Sequence, residues 1–127
     1  MPADQQPFGL RDLLGFTVGS EDGTGVASID IGPQHLNPNG VIHGAVPYAL
    51  IDTAMGSATM SAVPEGHFCA TIEIHVRYLR PCSTGTLTAR STVRRAGKRI
   101  VHLDASVVDD EGTEVVVASG SYAVLAL

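Results

Sequence analysis

The sequence predicts an α+β fold in which an antiparallel sheet of six strands wraps around one long central helix. Three observations predict it. Residues 43–62 carry a single residue certain to be charged at neutral pH, and Pro64-Glu65-Gly66 follows them. Four runs with strong apolar alternation come next, the last three joined by short turns. Two shorter runs precede the helical stretch. A helix with almost no polar face does not sit on a surface, and a sheet curled around it buries both elements economically.

The elements follow in order. Residues 1–9 read as a loose lead-in, and Leu10 to Leu14 as a short helical turn with Leu10, Leu13 and Leu14 on one side. Phe16 to Val18 and Val26 to Ile31 read as strands, with a hairpin turn over Ser20 to Gly25. The segment Gly32 to Gly40 is rich in Pro, Asn and Gly, the residues of turns. The helix spans about Gly44 to Ala62. Pro47 is compatible with its first turn, where backbone N–H groups lack intrahelical partners. In Ala70 to Arg80, Ile72, Ile74, Val76 and Tyr78 alternate with Thr71, Glu73, His75 and Arg77. Gly85 to Val93 places Leu87, Ala89, Ser91 and Val93 in phase, and Ile100 to Val108 does the same for Val101, Leu103, Ala105 and Val107. Glu114 to Leu125 is a Val-rich strand. The turns Ala96-Gly97-Lys98 and Asp110-Glu111-Gly112 are short enough to require antiparallel pairing.

Composition narrows the function classes. The 127 residues are expected to form one domain, with 44% hydrophobic residues to build its core. A domain of this size gains from oligomerisation. A net charge of −5 argues against nucleic acid as a partner. Cys69 and Cys82 form no C-x-x-C pair and fit reduced thiols in a cytoplasm better than a disulfide framework. Residues 1–7 lack the basic and apolar regions of a signal peptide, and the 41–63 stretch, interrupted by His43 and Asp52, does not read as a membrane span.

Asp52 is the charged residue of the helix. A carboxylate in an apolar helix is costly unless it is paired, hydrogen-bonded or protonated, which marks it for function or for a specific structural partner. Ala45, Ala49, Asp52, Gly56 and Thr59 fall in one row, and their small side chains leave room for a ligand or for close packing. His43 and Gly44 stand at the helix N-terminus, where free N–H groups and the helix dipole favour negative charge such as an oxyanion. Read alone, a histidine at this place is more often a structural loop histidine than a catalytic one. It lies nine residues before Asp52, roughly 13 Å of axial rise away. If both groups act on one substrate atom, two subunits supply them.

The pattern Asn37-x5-His43-Gly44-x7-Asp52 resembles the signature of hotdog-fold acyl-CoA thioesterases, in the branch of the phenylacetate-degradation (PaaI-type) enzymes. Gly40-Val41-Ile42 before the turn, Thr71 in Ala70-Thr71-Ile72-Glu73-Ile74, and Tyr78-Leu79-Arg80-Pro81 support it, and the resemblance covers about residues 10–125. It implies hydrolysis of an aryl- or medium-chain acyl-CoA without a metal or redox cofactor. It also implies a homodimer or homotetramer with active sites at the subunit interface. Asp52 would be general base or nucleophile, and the Gly44 N–H would hold the thioester oxygen. Asn37 and His43 would position the carbonyl or the water, and Thr71 would help orient it. Ala45 stands where that family usually has a second glycine.

Five of the eight basic residues, Arg90, Arg94, Arg95, Lys98 and Arg99, surround the Ala96-Gly97 turn. They read either as a site for the phosphates of coenzyme A, with Arg80 as a further candidate, or as a solvated hairpin tip. No H-E-x-x-H or G-x-S-x-G is present, which argues against metal and serine hydrolases. The reading from another class is a non-catalytic acyl-CoA-binding or sensing module.

Overall fold

The computed structural model describes residues 6–126. A short helix α1 (Gly9–Leu14) leads into β1 (Thr17–Glu21) and β2 (Thr24–Asp30), and one 3₁₀ turn (Pro33–His35) precedes the long helix α2 (Ala45–Ala62). Four strands follow: β3 (His67–Tyr78), β4 (Thr86–Ala96), β5 (Ile100–Val108) and β6 (Glu114–Ala126). All six strands form one antiparallel sheet in the order β1-β2-β4-β5-β6-β3, with α2 against one face, chiefly on β2 and β4. The expected fold class holds. The strand order adds that β3 leaves its chain neighbour β4 and pairs with β6 at the sheet edge.

A buried stripe holds α2 in place. Leu50, Ile51, Ala54 and Met55 are fully covered, with Val46, Pro47, Ala58 and Thr59 beside them. Each large apolar side chain contributes roughly 1.5–3 kcal/mol on burial, far more than helix propensity supplies per residue. The sheet answers with Ala27, Ile29, Leu87, Ala89, Val101, Leu103, Val107 and Tyr122. The in-phase positions expected on β4 and β5 thus face the helix. Gly25 sets the distance between layers, because a Cβ there would stand 1.8 Å from the Ala54 carbonyl oxygen.

Several local expectations are corrected. The helix is less enclosed than its composition suggested: its outer side leaves Asp52, Thr53, Gly56 and Ser57 half-buried, and Tyr48 and Met60 exposed. Thr59 leaves the small-residue row for the core, where its Oγ1 donates to the Met55 carbonyl (2.8 Å). In α1 the three leucines do not act together, since Leu10 and Leu13 are exposed while Leu14 packs on the core. Of the lead-in 1–9, residues 1–5 lie outside the described residues, and Gly9 already belongs to α1. The first hairpin turn shrinks to Asp22-Gly23, both at positive φ (51° and 86°), a sign that matches the twist of the flanking strands.

The alternation expected along β3 also breaks. Thr71 pairs with Tyr122 and Glu73 with Ser121, so Ile72 is the extra residue of a β-bulge. The insertion turns Ile72 outward, 53% exposed, and moves Thr71 onto the helix-facing side that Ile74 and Val76 occupy. Cys69 and Cys82 are free thiols. Among the described residues no helix is long and apolar enough to cross a membrane.

Candidate active site

Asp52 stands in mid-helix where α2 faces the end of β6 and the first half of β3. Thr71 Oγ1 donates to Asp52 Oδ1 at 2.7 Å, and the bulge at Ile72 is what aims it there. The Tyr122 hydroxyl donates to the same Oδ1 and also lies 2.9 Å from the Asp52 backbone oxygen. Two donors therefore converge on one carboxylate oxygen. Among the described residues Oδ2 receives no hydrogen bond. Burial, and then the hydrogen bond to Asp52, push the Tyr122 phenol well above its ordinary pKa, so it stays a neutral donor at working pH. The carboxylate opens into a groove of about 680 Å³ lined by Phe8, Val18, Thr53, Gly56, Ser57, Met60, Cys69 and Ala70 among others. Gly56 adds space, as nothing stands within 4 Å of where its Cβ would be.

The second part of the site lies at the start of α2. The loop before it is tied down: the Ile42 N–H donates to the Cys82 carbonyl (2.7 Å) and the His43 N–H to the His35 carbonyl (2.8 Å). The buried His35 accepts from the Gly32 N–H and donates from Nε2 to the Leu14 carbonyl, which makes it a structural histidine. At the helix start the Ala45 N–H donates to His43 Nδ1 (2.9 Å) and the Val46 N–H to the His43 carbonyl (3.0 Å). Pro47 has no N–H. The Gly44 N–H is thus the donor of this turn that meets no acceptor among the described residues. Because His43 Nδ1 accepts, the neutral ring carries its proton on Nε2.

Tyr78 packs closely on residue 44. Its hydroxyl donates to the Gly44 carbonyl (2.7 Å), and its ring would meet a Cβ at 3.2 Å. Gly44, Tyr78 and Arg80 line a separate depression of about 310 Å³ with Ile42, Pro47 and Leu79. Eight residues of helix, about 12 Å, separate Gly44 from Asp52. One chain therefore presents the carboxylate and the free N–H as two half-sites.

The other candidates are placed as follows. Asn37 uses its Oδ1 within its own loop, accepting from the Asn39 (2.9 Å) and Val41 (3.4 Å) N–H groups. Arg90 lies 3.9 Å from Glu21 and Arg94 3.3 Å from Asp104, so acidic neighbours share part of the basic cluster. Arg80 and Arg99 do not meet within a chain: the Arg80 N–H bonds to Val115 at one end of β6, and the Arg99 carbonyl accepts from Val124 at the other, roughly 30 Å away. Two site residues escaped sequence reasoning, Tyr122 and Tyr78. Each is the one tyrosine of its strand, and for Tyr122, which is buried, the hydroxyl needs a partner. Among the described residues no group of three or more His, Cys, Asp or Glu side chains could hold a metal ion.

With this geometry, the comparisons with known proteins define the class: the chain belongs to the thioesterase superfamily, whose family model matches residues 39–116. That match spans the His43-Gly44 turn, α2, Thr71 and Tyr78. A Halobacterium salinarum protein, named provisionally as an esterase, is 42% identical over 99 residues, 72% of this chain and 65% of its own length. Matches to the curated relatives span 52–65% of those proteins. The crystal structure of a Haemophilus influenzae thioesterase superposes with a TM-score of 0.88 at 25% identity, over 93% of this chain and 83% of that one. The PaaI protein of the Escherichia coli phenylacetic acid degradation operon superposes at 0.82 with 27% identity, over 91% and 83%. The hotdog arrangement implied by the sequence pattern is the observed fold.

Proposed function

We propose that this protein is a hydrolase of acyl-CoA thioesters, acting on an aryl- or medium-chain acyl group. The observation that carries the reading is Asp52, whose Oδ1 is held by two hydroxyls while the residue itself lines a groove. A carboxylate so held suits a general base that takes a proton from water as the water attacks the thioester carbon. It also suits a nucleophile that attacks the carbon itself. In either course the thioester oxygen gains negative charge and needs a donor. The unpartnered Gly44 N–H at the helix N-terminus meets that need. Collapse of the tetrahedral intermediate then expels the coenzyme A thiolate; in the first course the proton held by Asp52 passes to that thiolate as the acid is freed, and in the second water hydrolyses the acyl-Asp52 anhydride.

The two half-sites of one chain are too far apart to share a carbonyl group. The reading therefore places each active site between subunits of a homodimer or homotetramer, with Asp52 from one and the turn of His43 and Gly44 from the other. His43 Nε2–H and Asn37 assist in positioning the carbonyl or the water, and Thr71 holds the base. Arg80, Arg94, Arg95, Lys98 and Arg99 are candidate contacts for the phosphates of coenzyme A, drawn from different subunits because they lie at opposite ends of the sheet. The chemistry calls for no metal or redox cofactor. Two free thiols favour a cytoplasmic setting.

A thiol-release assay over a panel of aryl- and medium-chain acyl-CoAs tests the reading, with Asp52→Asn as the paired variant. Wild-type turnover and a loss of about 10²-fold or more in the variant, with the oligomer intact, are the expected result. Ligand binding without turnover in the wild type, or full turnover in folded Asp52→Asn, overturns it.

A further inference from the structure

We infer that Tyr122 is a positioning residue that selects which oxygen of Asp52 reacts; the inference rests on the reading of Asp52 as the catalytic carboxylate. Tyr122 is 2% exposed, and its ring forms part of the core beneath α2. Its hydroxyl has one proton. Nothing else within reach of it needs a donor as strongly as Asp52 Oδ1, to which it makes a close hydrogen bond. Thr71 Oγ1 approaches the same atom from β3 at 2.7 Å. The pairing of Thr71 with Tyr122 across β3 and β6 puts both hydroxyls on one side of the sheet.

The consequence is an unequal carboxylate. With two donors, Oδ1 has its lone pairs engaged. Oδ2 has no donor among the described residues and stays available for water or for the thioester carbon. A free aspartate in mid-helix would sample several χ1 and χ2 settings and present either oxygen. Tyr122 fixes one setting from a rigid element, because its ring is packed and its strand lies between β5 and β3. Misplacing a reacting group by about 1 Å costs on the order of 10²-fold in rate, so a hydroxyl that acts through Asp52 can govern turnover.

Tyr122→Phe keeps the ring and removes the hydroxyl. It is expected to lower kcat about 30-fold and to leave KM within about twofold, because the lost contact serves the transition state rather than binding. The deciding arm combines it with Asp52→Asn. If Tyr122 acts through Asp52, adding Tyr122→Phe to Asp52→Asn costs nothing further, whereas a merely structural tyrosine gives losses that multiply. Wild-type kcat in folded Tyr122→Phe, or multiplying losses, overturns the inference. An active Asp52→Asn protein instead overturns the Asp52 reading, so the two failures are distinct. Should Tyr122→Phe not fold, 3-fluorotyrosine at position 122 keeps the packed ring and alters the donor strength of its hydroxyl: a changed kcat at constant KM that disappears in Asp52→Asn supports the inference, and an unchanged kcat overturns it.

Discussion

Cys69 shows how far the field of one carboxylate reaches at the scale of a residue. Its thiol lines the same groove as Asp52 and is about half covered. Burial, and then the negative charge of Asp52, raise its pKa above the ordinary thiol range. Only the thiolate reacts with an alkylating agent, so a raised pKa means a smaller reactive fraction at any pH below it. The pH midpoint for iodoacetamide labelling of Cys69 is therefore expected above that of an unperturbed thiol, and Asp52→Asn is expected to bring it down by removing one of the two causes. Mass spectrometry of labelled peptides over a pH series checks both. Cys82 serves as the internal control: its raised value owes nothing to Asp52, coming from burial and then Asp109, and it should not move in the variant.

At the scale of elements, the contact between α2 and the sheet is tightest at Gly25. A methyl group there collides with the Ala54 carbonyl, which is backbone and cannot rotate away. Gly25→Ala is expected to destabilise the fold by about 1–3 kcal/mol, as overpacking does, and a thermal or denaturant melt measures it. The helix itself was legible because a twenty-residue stretch with one charge, ended by Pro64 and Gly66, has few other solutions. The strands β4 and β5 were legible because Leu87, Ala89, Val101 and Leu103 keep a strict period of two. The bulge at Ile72 was not. An inserted residue leaves a run of β-forming residues looking regular, and only the partner strand reveals that Ile72 has no opposite number. For the same reason Thr71 could be assigned to the site through the family pattern but not through alternation, which put it on the wrong side, and its bond to Asp52 was not foreseen. Tyr122 was missed because its partner, Asp52, is seventy residues away in sequence. Nothing local in a Val-rich strand records that distance. Asp52, by contrast, declared itself through the cost of placing a charge in such a helix.

At the scale of the whole molecule, the described chain has one long open edge, β3, flanked on its far side by no other strand. Phe68, Ile72, Tyr78 and Leu79 expose apolar surface along or just beyond it. An unprotected edge of that length is a template for pairing with another strand, and the proposed function, which uses Asp52 and the distant Gly44 N–H together, calls for a second subunit. If catalysis needs both, activity and assembly must fall together. Specific activity is expected to drop on dilution along the same curve as the oligomer mass from sedimentation or light scattering. A monomer with undiminished turnover would contradict this.

The placement of β3 beyond β6 also bears on how the protein is made. The strand carrying Thr71 leaves the ribosome well before β6, yet its hydrogen-bonding neighbour is the C-terminal strand of the fold. Pairings distant in sequence form slowly, because the loop between them must close first. Helix α2 and the first hairpin can assemble early, while Asp52 waits for Thr71 and Tyr122 to arrive together. If Asp52 is the catalytic carboxylate, the closing event that completes the sheet also completes its hydrogen bonds, and a nascent or truncated chain carries that carboxylate unheld.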